Sequence, residues 1–175
     1  MTLLVGGLRV RLAFSSLYNM LNTSLTSLGW FDAGREHLPI TFLGEPVDDE
    51  NEVPINTLVL TGESVFTSDI ELGSARSEFS RQFYLDFYAE SHALGEHLAF
   101  DLRDILEGRM ASIGRTGPVV SLYDYTITPT PPVFSVAEIE SVFVDRALPG
   151  GAASWKKNWW SLSFRVVDYY TDESG

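Results

Sequence analysis

The chain of 175 residues contains no cysteine. Disulfides, thiolate nucleophiles and cysteine-based zinc sites are therefore excluded. The same absence fits a reducing compartment. Lysine is nearly missing too: Lys156 and Lys157 are the only two. Twelve basic side chains stand against 24 acidic ones, for a formal net charge of −12. Affinity for phosphates needs clustered Lys and Arg, so this balance runs against nucleic-acid binding. No stretch approaches the roughly 20 apolar residues of a membrane span, and no membrane partner is expected. The apolar run Met1–Leu8 lacks a basic region before it and is broken by Arg9 and Arg11. It does not read as a signal peptide, which leaves the Asn22-Thr23-Ser24 sequon silent. Neither G-x-S-x-G nor G-x-x-x-x-G-K-[ST] occurs, so a nucleophile elbow and a P-loop are both out.

What is present is core-forming side chain. The chain is 45% hydrophobic and 13% aromatic, enough to offset the entropy of ordering it. The length suits one domain that buries roughly 70% of its unfolded surface. Val10, Phe14, Leu17, Leu21, Leu25 and Leu28 recur at spacings of three and four. That pattern predicts an amphipathic helix over 8–28, stopped by Gly29. Ser15, Asn19, Asn22, Ser24 and Ser27 make its predicted outer face. Pro39–Leu43 reads as a short strand with proline at its start. Glu45, Asp48, Asp49, Glu50 and Glu52 then arrive without a basic residue, and like charges this dense predict a solvated loop. Calcium-loop spacing is absent there, so no metal site is expected.

Residues 55–61 are β-branched and read as a strand ended by Gly62. Residues 63–78 read as a long hairpin tip or extended arm. Phe83, Leu85 and Phe87 alternate with Tyr84, Asp86 and Tyr88, which predicts a strand over 79–88. A second helix follows, capped by Ser91 and ended by Gly108, with Leu94, Leu98, Leu102, Ile105 and Leu106 as its buried stripe. Strands are predicted at 119–125, 139–145 and 159–170, with a flexible turn at 148–154. Residues 171–175 form an acidic tail. Helix, strands, helix, strands without βαβ alternation gives an α+β fold: one domain over 1–170, a mainly antiparallel sheet with two helices packed on one face.

Few residues carry the marks of a chemical site. His92 with Glu96, and His97 with Asp101, are i,i+4 pairs on the second helix. Such pairs can hold a metal or an acid/base couple, and more often they are exposed surface pairs worth a few tenths of a kcal/mol. Trp155-Lys-Lys-Asn-Trp-Trp160 interleaves aromatics with both lysines, a pattern able to stack on single-stranded nucleic acid. Against so negative a field it reads instead as a core cap or a subunit contact, where Trp and Tyr are enriched. No enzyme activity and no cofactor are expected.

Asn56-Thr-Leu-Val-Leu-Thr61, Ile70-Glu-Leu-Gly-Ser74, the run Tyr84–Ala99, Asp101–Leu106, the 119–124 segment and the Trp155–Tyr170 strand form a longer pattern. It is similar to small neck or tail-completion proteins of long-tailed bacteriophages, those of actinobacterial hosts above all. The order of helix, sheet and second helix also resembles their tail terminators. The resemblance covers roughly residues 55–170 and carries no catalytic signature. It implies a structural virion protein at the head–tail junction: a hexameric ring that caps the tail tube, ends its polymerisation and receives the filled head. Implied partners are further copies of the chain, the tube protein and head-completion proteins. Genomic DNA is expected to pass through the lumen without specific binding, and the net charge alone motivates the further expectation that acidic side chains repel it. Phe66, Ile70, Leu72, Trp155 and Trp159 are the candidate subunit or tube contacts. A head-completion (stopper) protein and a tail-tube subunit are the alternative readings.

Overall fold

The computed structural model describes residues 2–32, 39–44, 54–69, 76–146 and 158–171. The predicted acidic loop, the 148–154 turn and the 172–175 end of the tail lie outside the described residues.

The first helix, α1, spans Thr2–Ser27, starting earlier than its apolar stripe announces. Leu17, Leu21 and Leu25 are fully buried, as the three-and-four spacing requires. Gly29, at φ 72°, ends it: its N–H bonds the Thr26 carbonyl, and the N–H of Trp30 bonds that of Leu25. This is the paired closure of a left-handed C-terminal cap. Ser24 departs from the predicted outer face. It is buried, and its hydroxyl donates to the Met20 carbonyl at 2.9 Å, so the buried stripe is wider than the leucines alone.

Six strands form one curled sheet in the order β1-β2-β3-β8-β7-β6. β1 (Thr41–Leu43) runs parallel to β2 (Thr57–Asp69), and every other pair is antiparallel. β3 is Arg76–Tyr88, β6 Val119–Tyr123, β7 Val133–Arg146 and β8 Trp159–Thr171. Gly62 does not end β2. The strand passes it with a register shift between Gly62 and Val65, a place where glycine is tolerated, and stays paired with β3 as far as Asp69. The predicted arm is therefore in large part a continuation of the β2–β3 ladder. β7 likewise begins six residues before its predicted start, directly after Pro132.

The second helix, α2 (His92–Leu106), has the Ser91 cap, whose oxygen accepts from the Leu94 N–H at 3.2 Å. A small two-stranded unit follows, β4 (Arg109–Met110) and β5 (Arg115–Thr116), joined by a 3-10 turn that the sequence does not announce. Gly108, at φ +65°, permits it: a Cβ there would stand 1.9 Å from the Gly117 carbonyl oxygen.

Both helices lie on one face. Phe79, Phe83, Leu85 and Phe87 of β3, Trp160, Leu162, Phe164 and Val166 of β8, and the helix leucines form a single buried cluster. Phe83 stacks on Phe164 with ring centroids 5.8 Å apart. The result is one α+β domain with a covered inner sheet face and an outer face that no described helix covers.

Candidate functional site

The outer sheet face can be read strand by strand, since residues paired across a ladder share a face. Phe143 pairs with Ser163 and Ser163 with Tyr84, all outward. The outward positions of β7 carry Val136, Glu138, Glu140 and Phe143. Of these Val136 is 55% exposed and Phe143 63%, and Tyr169 of the neighbouring β8 is 51% exposed. Val136, Phe143 and Tyr169 thus stand in water on this face.

The same face is negative. The Tyr169 hydroxyl is pushed above its ordinary pKa, first by desolvation and then by Glu78, Glu140 and Glu138. Tyr84 is pushed up in the same way, by desolvation and then by Glu63 and Asp86. Arg165 answers part of this charge. Its Nη2 donates to Glu140 Oε2 at 2.6 Å, and that bond raises its pKa.

The ladders leave two strand edges open. β1 covers β2 only along Thr57–Val59, so among the described residues β2 has no outer partner from Leu60 to Asp69. At the other side of the sheet β6 covers β7 only as far as Glu138, with one further bond from the Ile139 N–H to the Pro118 carbonyl. From Glu140 to Arg146, β7 has no described strand on that side. The outer edge of β6 itself is partly closed by α1, where Ser16 Oγ accepts from the Tyr123 N–H at 2.9 Å. Unpaired edges of this kind are templates for another chain.

Of the five predicted contact residues, Phe66 and Trp159 are described, and they lie far apart. Trp159 is half-buried within its own chain: it stacks on Tyr88 at 6.0 Å, and its indole donates to Asp86 Oδ1 at 3.0 Å. Phe66 lies in β2 opposite Ser80, and Trp159 lies opposite Tyr88. Eight residues of β3 at about 3.4 Å each separate them by roughly 27 Å. Ile70, Leu72 and Trp155 lie outside the described residues. Trp160 caps the core at 8% exposure, against His92 at 5.3 Å.

His97 Nε2 stands 3.7 Å from Asp101 Oδ2, and that oxygen already accepts from the Trp30 indole at 2.9 Å. Among the described residues no three His, Asp or Glu side chains are grouped to hold a metal. Among them, too, no helix is long and apolar enough to cross a membrane.

Sequence reasoning missed Phe134, Val136, Phe143 and Tyr169 as surface residues. The signal was present in β7, where small Ser135 and Ala137 alternate with large neighbours, but alternation alone does not say which side faces water. No protein-family model matches the chain. Comparison with curated proteins finds no match either.

Proposed function

We propose that this chain is a structural virion protein whose copies close into a ring on the end of a phage tail tube. In that place it stops tube polymerisation and joins tail to head. The observation that carries the reading is the pair of open strand edges on opposite sides of one sheet. β2 and β7 run in opposite directions, because each step from β2 through β3 and β8 to β7 is antiparallel. The β2 edge of one copy can therefore meet the β7 edge of the next and continue the antiparallel alternation. Two different patches per copy make a heterologous contact, which closes into a ring or runs on as a filament.

The same sheet supports the remaining parts. The distal β2–β3 ladder, Val136 and Tyr169 lie at one end of the sheet, since Ser77 pairs with Tyr170 and Ser68 with Glu78. That end, with its exposed apolar side chains, suits docking on the tube. The acid-rich outer face suits a DNA passage, because carboxylates repel phosphates and let the duplex slide.

Six copies of 19.5 kDa give a ring of about 117 kDa. The deciding experiment is imaging of the labelled protein on assembly intermediates. Label on tails lacking heads supports a terminator. Label on heads lacking tails identifies a stopper instead, and spontaneous filaments of the purified chain identify a tube subunit.

A further inference from the structure

We propose that the cleft between α1 and β6 is a carboxylate-binding site, built around Arg115, that receives an acidic side chain from a second copy of this chain. The cleft has a volume of about 290 Å³, room for one or two side chains. Ser16, Asn19 and Thr23 of α1 line one wall, Ser121 and Tyr123 of β6 the other, and Arg115 also lines it. Among the described residues, no carboxylate lines the cleft.

Arg115 is the unusual member. It is half-buried, with Nε donating to the Ile105 carbonyl at 3.1 Å and Nη2 to the Val119 carbonyl at 2.9 Å. Two carbonyls hold the guanidinium in place without neutralising it. Arg103 and Arg109 both pair with Glu107, and Arg165 pairs with Glu140. Arg115 has no such carboxylate among the described residues. A guanidinium carries five N–H donors, so donors remain for a planar acceptor. Burial pushes the pKa of Arg115 down, the direction of a cation lacking a counter-charge. Thr23, Ser121 and Tyr123, which line the same cleft, carry hydroxyls that can donate as well.

The occupant follows from charge. A chain with 24 acids and 12 bases repels its own copies, so copies associate where an acid of one meets an unanswered base of the next. Arg115 is such a base, already partly desolvated and held by two carbonyls, and binding there loses little side-chain freedom. This part of the inference rests on the ring reading; the carboxylate site does not.

The test follows the Arg115 Nε–Hε resonance of the full ¹⁵N-labelled chain during titration with N-acetylaspartate amide. N-acetylasparagine amide and inorganic phosphate are the comparison arms. A saturable shift with the aspartate probe and none with the asparagine probe is expected. The shift should disappear in Asn19→Glu, which places a tethered carboxylate in the cleft from an exposed position. No shift with aspartate, or an equal or stronger one with phosphate, overturns the carboxylate site. Sedimentation then tests the occupant: Asn19→Glu should weaken self-association at least tenfold, and unchanged association overturns second-copy occupancy. If the parent chain does not associate at all, the ring reading falls and takes that occupant with it. The resonance titration still decides the cleft.

Discussion

The Trp30 indole donates to Asp101 Oδ2 at 2.9 Å, tying the end of α1 to the outer side of α2 across 71 residues of chain. Trp30 is fully buried and meets the His97 ring edge-on at 5.2 Å. Trp30→Phe keeps most of the buried ring and removes the donor. It should cost about 1–3 kcal/mol in urea unfolding, the range for a bond to a charged acceptor plus the gap left by the smaller ring. Asp101→Asn retains an acceptor oxygen and should cost less. Equal losses would mean that the carboxylate charge, not the bond geometry, holds the two helices together.

A second prediction concerns Gly95 in the middle of α2. Alanine there gains about 1 kcal/mol in helix propensity. Its Cβ, however, would stand 2.1 Å from Nε1 of Trp160, whose indole is packed in the core. Overpacking of that kind costs about 1–3 kcal/mol, so the clash wins. Gly95→Ala should lower the melting temperature despite its better propensity. In a Trp160→Leu background the same change should become stabilising, and a double-mutant cycle measures the reversal.

These cases show where the sequence speaks and where it is silent. The apolar spacing of α2 and the alternation of Phe83, Leu85 and Phe87 report burial directly, because propensity, period and packing agree there. The first half of β7 reads poorly, since Val136 points outward and Phe134 is exposed while Ser135 and Ala137 face inward. Its hydrophobic pattern is inverted, which a surface kept for a partner can impose. Gly62 looks like a stop and is a bulge, a difference that only the partner strand defines. Arg115 carries no local signal at all, as its two carbonyl partners lie ten residues before it and four after.

A pH-dependent element sits beside the same cleft. Asp124 Oδ1 accepts from both the hydroxyl and the backbone N–H of Thr126. The hydroxyl bond and then the backbone bond hold the Asp124 pKa below the usual carboxylate value. A depressed folded pKa gives stabilisation that is present above the unfolded value and is lost as pH falls through the folded one. Thr126→Val deletes the hydroxyl and keeps the backbone donor. Its carboxyl carbon should titrate higher than in the parent chain yet still below an ordinary aspartate, as carbonyl-detected NMR can follow. An unchanged midpoint would assign the depression to the backbone bond alone.

The outer face offers the sharpest separation between assembly and folding. Phe143 is 63% exposed beside the open edge of β7, and Val136 is 55% exposed at the end of the sheet near the β2–β3 ladder. Neither ring nor branch is packed in the core, so Phe143→Glu and Val136→Lys should each change stability by no more than about 0.5 kcal/mol. Their effects on assembly should differ because their places differ. Phe143→Glu puts a further carboxylate beside the edge proposed to meet the next copy, so on that proposal ring formation should fail in light scattering. Val136→Lys leaves that edge intact, so rings should form but bind tube ends less well in a pelleting assay. If both substitutions act on ring closure alike, the sheet face as a whole is the contact, and the division between an edge that closes the ring and an end that meets the tube is wrong.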